Sequence, residues 1–138
     1  MGVKFRSDVA GTITGIRFYK GAGNNGTHIG LLYTATGTLL GQVTFTGETA
    51  SGWQQANFAT PVAISANTTY VAAYFSTSGF AFDASYFTNT GVDSPPLHAL
   101  RSGVDGPDGV YMYGGAPQFP SANSGGSNYW ADVVFSGQ

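Results

Sequence analysis

TYVAAYFS, residues Thr69–Ser76, is the stretch that decides the fold. Val71, Ala73 and Phe75 alternate with Tyr70, Ala72 and Tyr74, so both phases of the two-residue strand period are apolar. A strand of that kind is buried on both faces and belongs in the middle of a sheet. On its N-terminal side, Asn67-Thr68 supplies a turn, and Val62 and Ile64 form a short edge-like segment. Pro61 separates that segment from a strand over Trp53 to Ala59. Further back, His28–Thr34 and Leu39–Thr46 flank Ala35-Thr36-Gly37 and read as a hairpin. Ile29, Leu31 and Tyr33 share one face of the first strand, and Leu39, Gly41, Val43 and Phe45 one face of the second.

The chain starts with a short strand around Val3 and Phe5 and a longer one from Gly11 to Tyr19. In the longer one the apolar phase changes between Ile13 and Ile16, with Gly15 between them, which predicts a β-bulge. Beyond Ser76 the alternation breaks. Phe80–Gly115 is a long irregular segment holding four of the seven acids, in which Phe80–Tyr86 and Tyr111–Tyr113 can form brief strands. Pro95-Pro96 argues against regular pairing, and Leu97–Leu100 has room for one helical turn. Gln118–Ser127 reads as a loop, and Tyr129–Phe135 closes the domain with Trp130, Asp132 and Val134 on one phase. No stretch sustains a helical period. The fold expected is all-β: an antiparallel, jelly-roll-like β-sandwich of eight or nine short strands, with a long irregular segment before the last.

Composition narrows the function. Only 9% of residues are charged and the net charge is −2, so no basic footprint for nucleic acid or membrane surface is present. No apolar run approaches the ~20 residues of a membrane-spanning helix, so no membrane insertion is expected. Aromatic residues make up 14% of the chain, too many for a disordered segment. There is no cysteine, so disulfides do not report the compartment. Met1-Gly2 leads at once into strand-like sequence, so no signal segment is expected within it. The chain is expected to be one domain, 1–138, of a larger protein.

Five blocks carry a family resemblance: GVKFRSDVAGTITGIRFYKGAGNNGTHIG, ATGTLLGQVTFTGETASGWQQANFATPVAISANTTYVAAYF, PLHAL, GVYMYG and NYWADVVF. In order and content they resemble the bacterial domain-of-unknown-function 4082 family over nearly the whole chain. The resemblance implies an accessory module of large secreted or surface proteins, often beside immunoglobulin-like and carbohydrate-active domains. It implies an extracellular or cell-surface location, with neighbouring domains of the parent chain as partners. The chain departs from its relatives at Ala81-Phe82, where they are more polar.

The residues offer little for catalysis. No cysteine and no G-x-S-x-G elbow supplies a nucleophile. Glu48, Asp83, Asp93, Asp105, Asp108 and Asp132 are the candidates for a glycosidase acid pair, but Glu48 sits in TGETASG and Asp105 and Asp108 in DGPDG, where turn chemistry explains them. No enzyme activity and no required cofactor are expected. Asp105 and Asp108 are candidate ligands for a structural calcium, and His28 and His98 for a transition metal shared with an acid.

Sugar recognition fits best, because it takes exposed rings and a few fixed polar groups and needs little net charge. Asp83, Tyr86, Asn89, His98, Arg101, Tyr111, Tyr113, Asn128 and Trp130 are the candidate glycan-binding residues. Trp53 and Trp130 are also core candidates, since aromatics dominate small β-cores. The expectation is a non-catalytic module that binds glycan or polysaccharide. A spacer or adhesion domain without a small ligand is the alternative, and a glycan-active enzyme stands third.

Overall fold

The computed structural model describes residues 2–20, 26–76, 92–94, 97–99, 110–111, 122–123 and 131–137. They form strands β1 Gly2–Ser7, β2 Gly11–Lys20, β3 His28–Thr34, β4 Leu39–Thr44, β5 Gly52–Ile64 and β6 Tyr70–Ser76. Five more follow: β7 Val92–Ser94, β8 Leu97–Ala99, β9 Val110–Tyr111, β10 Ala122–Asn123 and β11 Ala131–Gly137. The larger sheet runs β10-β9-β1-β6-β3-β4, with β8 also on the outer edge of β1 and β7 beyond it. The smaller sheet runs β11-β2-β5. All pairings are antiparallel, and the two sheets stack as a β-sandwich.

β6 is the central strand that its sequence predicts. It lies between β1 and β3, and Val71, Ala72, Ala73 and Tyr74 are all fully or almost fully buried. Its two faces feed two clusters. Tyr70, Ala72 and Tyr74 join Val3, Phe5, Leu32, Ile13, Ile16 and Phe18 in the core between the sheets. Val71 and Ala73 pack with Leu31 and Tyr33 on the opposite face. At the centre of the main core, Phe18 stacks on Tyr74 at 4.6 Å and meets Phe45 edge-on at 4.9 Å. Such ring pairs add about 0.5–1.5 kcal/mol each beyond the area they bury.

Tyr33 lies in the second cluster, 5% exposed. Burial raises its phenol above the ordinary tyrosine value of 10.0, because the phenolate is disfavoured away from water. The stability tied to neutral Tyr33 is therefore complete below that value and is lost as pH rises through the raised folded one. Denaturant titrations between pH 8 and pH 11, at the upper limit of ordinary work, are expected to show an alkaline loss of stability that Tyr33→Phe reduces.

The bulge in β2 sets the faces of the smaller sheet. Against β11, Phe135 pairs with Ile13 but Val134 with Gly15, so Thr14 is an extra residue. Against β5 the excursion is larger: Ile13 pairs with Val62 and Gly15 with Asn57, leaving residues 58–61 opposite Thr14. Ile13 and Ile16 can then both point inward although they are three residues apart, and both are 0% exposed. Pro61 falls inside the excursion, so β5 passes through it without losing a ladder bond. The expected break at Pro61 is accordingly a bulge within one edge strand.

Gly15 is required by close approach. A Cβ there would stand 2.5 Å from the Ala56 carbonyl oxygen and 2.7 Å from Asn57 Oδ1. The carbonyl is ladder backbone and cannot swing aside, so Gly15→Ala is expected to cost about 1–3 kcal/mol, measured by urea unfolding.

The hairpin of β3 and β4 forms as expected. Gly37, at φ 100°, donates its N–H to the Thr34 carbonyl, and Thr34 Oγ1 accepts the Thr38 N–H. Asn67 turns the chain at φ 54°, which asparagine tolerates, and donates its N–H to the Ser7 carbonyl. The C-terminal half differs from expectation. Leu97–Ala99 is a strand rather than a helical turn, and it pairs with Val92–Ser94 on the other side of Pro95-Pro96. The loop expected over Gln118–Ser127 contains β10. Among the described residues the eleven strands exceed the expected eight or nine because four pieces of two or three residues lie between β6 and β11. Phe80–Tyr86 lies outside the described residues.

Candidate functional site

The bulge that turns Ile16 and Phe18 inward turns Arg17 and Tyr19 outward. Direct cross-strand partners share a face, and Arg17 pairs with Gln55 and Asp132, and Tyr19 with Trp53. Gly15 pairs with Asn57. The outer face of the smaller sheet is thus a short grid. Tyr19 and Trp53 form one row, Arg17, Gln55 and Asp132 the next, and Asn57 stands beyond them. Rows along a strand are about 6.7 Å apart, two residue rises.

Trp53 is 43% exposed and Tyr19 41%, the two exposed large aromatics among the described residues. Their rings meet edge-to-face with centroids 5.7 Å apart. The Arg17 guanidinium lies 4.8 Å from the centre of the Trp53 ring, and Asp132 Oδ2 is 3.7 Å from Arg17 Nη1. Asp132 Oδ1 also accepts the Val133 N–H at 2.8 Å. Gln55 Nε2 donates to Asn57 Oδ1 at 3.1 Å, so this amide pair retains an acceptor on Gln55 and a donor on Asn57.

Trp53 faces outward because its neighbour Gln54 faces inward. Gln54 is 5% exposed, and its amide closes the preceding turn: Oε1 accepts the Thr49 N–H, and Nε2 donates to Thr49 Oγ1 and the Gly52 carbonyl. Trp53, a core candidate by sequence, is thus a surface residue held in place by ring and guanidinium contacts.

A second group of polar residues is internal. Lys20 follows Phe18 in the inward phase, where its ammonium meets Glu48 Oε1 at 3.2 Å and donates to the Thr49 carbonyl at 3.1 Å. His28, fully buried against the Phe18 ring, places Nδ1 2.8 Å from Glu48 Oε1 and 3.0 Å from Oε2. Among the described residues Oε1 receives no well-directed hydrogen bond, so the Lys20 ammonium holds it by charge and the His28 ring lies against it.

Of the candidate glycan-binding residues selected from the sequence, His98 is described in full. It sits on β8 opposite Arg6 and bonds Asp8 Oδ2 through Nε2 at 2.8 Å, on the larger sheet. Tyr111 is described through its backbone, as part of β9. Asp83, Tyr86, Asn89, Arg101, Asp105, Asp108, Tyr113, Asn128 and Trp130 lie outside the described residues. A metal site shared by His28 and His98 is corrected by the register. His28 stands opposite Ser76, at one end of β6, and His98 flanks β1 near the Tyr70 end, about 20 Å away. Among the described residues, no group of three or more His, Asp or Glu side chains could hold a metal ion.

Two stacked antiparallel sheets, one carrying exposed rings and paired polar groups on its outer face, define the chain as a β-sandwich domain with a surface platform. Residues 1–131 match the model of the family described as domain of unknown function DUF4082, and the chain belongs to that family. No curated protein matches the chain.

Proposed function

We propose that this domain is a non-catalytic extracellular recognition module that binds glycan or polysaccharide on the outer face of the smaller sheet. The observation that carries the reading is the exposed Tyr19–Trp53 pair, preset by Arg17 and bordered by the Gln55 and Asn57 amides. Pyranose rings present apolar C–H faces to aromatic surface, and their hydroxyls need a few placed donors and acceptors. Placing rigid rings on strands lowers the entropy lost when a ligand settles on them. The one acid described on this face, Asp132, is paired with Arg17, so among the described residues the platform offers no two facing carboxyls for glycoside hydrolysis. Support for an extracellular setting is compositional: few charges and a surface rich in Thr, Ser, Asn and Gly.

The test is retention of folded protein on insoluble polysaccharides, together with a glycan array, with and without calcium. Retention that soluble oligosaccharide reverses is the expected result. Folded protein retained by no glycan would leave the spacer or adhesion role in its place.

A further inference from the structure

We infer that Asp132 sets the specificity of the platform, restricting it to neutral polysaccharides by cancelling Arg17, the one cation on its surface among the described residues. The inference rests on the glycan reading above and names the class of ligand. Recognition of a uronate or sulfate needs a donor whose charge is uncompensated, and arginine serves best when its planar fork is open to two oxygens. Arg17 is the basic residue that faces outward among the described residues of the smaller sheet, and it is already engaged. Its Nη1 lies 3.7 Å from Asp132 Oδ2, and its Cζ lies 4.8 Å from the centre of the Trp53 ring. Lys20 sits on the opposite face of the same strand, 7% exposed and paired with Glu48. Lys4 and Arg6 are on β1, in the other sheet.

The remaining polar groups near the rings among the described residues, Gln55 and Asn57, are uncharged amides that bond hydroxyls as donor and acceptor. An acidic polymer would meet the Asp132 carboxylate, 48% exposed, before it could reach the guanidinium. A neutral polymer meets no repulsion, and its contacts do not weaken with salt. Arg17 then acts as a positioning residue: it holds the Trp53 ring and does not contact the ligand.

The experiment is affinity electrophoresis of the folded chain in gels containing neutral polymers (hydroxyethylcellulose, galactomannan, mixed-linkage β-glucan) or acidic ones (polygalacturonate, alginate), at low and at high salt. Wild type is expected to be retarded by at least one neutral polymer equally at both salt levels, and by neither acidic one. Asp132→Asn keeps the acceptor that meets the Val133 N–H and removes the charge. It is expected to gain low-salt retardation by an acidic polymer, with an affinity at least about two- to fivefold above wild type, the range an exposed ion pair spans. The gain must vanish in Asp132→Asn combined with Trp53→Ala. Salt-sensitive retardation of wild type by an acidic polymer, or no gain in Asp132→Asn, overturns the inference and leaves glycan recognition standing. Absence of retardation by every polymer overturns the glycan reading itself.

Discussion

Glu48→Ala is expected to lower stability by about 3–5 kcal/mol, the cost of removing one partner from a buried ion pair. Glu48 serves two groups that have lost their water. The Lys20 side chain is 9% exposed and His28 0%, and the same carboxylate lies within 3.2 Å of both. Without it, the Lys20 ammonium keeps the Thr49 carbonyl, and its charge is uncompensated in the sandwich. For a domain of this size the loss corresponds to a fall in Tm of roughly 10–20 °C, read by calorimetry or circular dichroism. Lys20→Met in the Glu48→Ala background separates the charge effect from a simple packing loss. Removing the orphaned ammonium should restore part of the stability, because methionine fills the same volume without a charge. A double variant as unstable as the sum of the two single ones would show that Glu48 acts by packing alone.

The same inward Lys20 shows where sequence reading ends. The bulge was legible, because Ile13 and Ile16 cannot both be inward in a regular strand and Gly15 stands between them. The central strand was legible from two apolar phases, and the β3–β4 hairpin from its apolar alternation around a glycine turn. The consequence of the bulge, an inward Lys20, has no local signal in the chain. A lysine at a strand end is ordinarily solvated, and its burial depends on a glutamate 28 residues away that only the fold brings near. The β7–β8 hairpin was hidden for another reason: strands of three residues are too short to show a period, and two prolines between them read as an interruption. The platform was missed because nothing in the identity of Trp53 says which face it takes. That was decided by Gln54, whose amide bonds to Thr49 and Gly52 fix it inward and leave the other phase for the tryptophan. The residue types that suggest a binding site are concentrated in the irregular segment. Regular strands meanwhile assemble a second set from Arg17, Tyr19, Trp53 and Asp132, each unremarkable in its own context.

Trp53→Ala is expected to reduce glycan affinity by at least about 30-fold while leaving the fold intact. A centrally placed tryptophan in a binding face commonly contributes 2 kcal/mol or more, and about 1.4 kcal/mol is tenfold in affinity. Trp53 is the larger ring of the exposed pair, and its alignment depends on both Tyr19 and Arg17. Its loss removes the stacking surface and releases both neighbours. Stability should change little, because Trp53 is 43% exposed and does not belong to either buried cluster. Tyr19→Ala removes the smaller ring and the edge contact that orients the larger one, so an intermediate loss is expected. Trp53→Phe keeps a ring at the same register position and should recover part of the affinity. This order, wild type above Trp53→Phe above Trp53→Ala, is what a stacking surface requires, and isothermal titration with a soluble oligosaccharide measures it. If Trp53→Ala binds as wild type does, the smaller sheet is not the binding face. Tyr86, Tyr111 and Tyr113 of the irregular segment, and Trp130 of the closing stretch, would then be the next positions to replace.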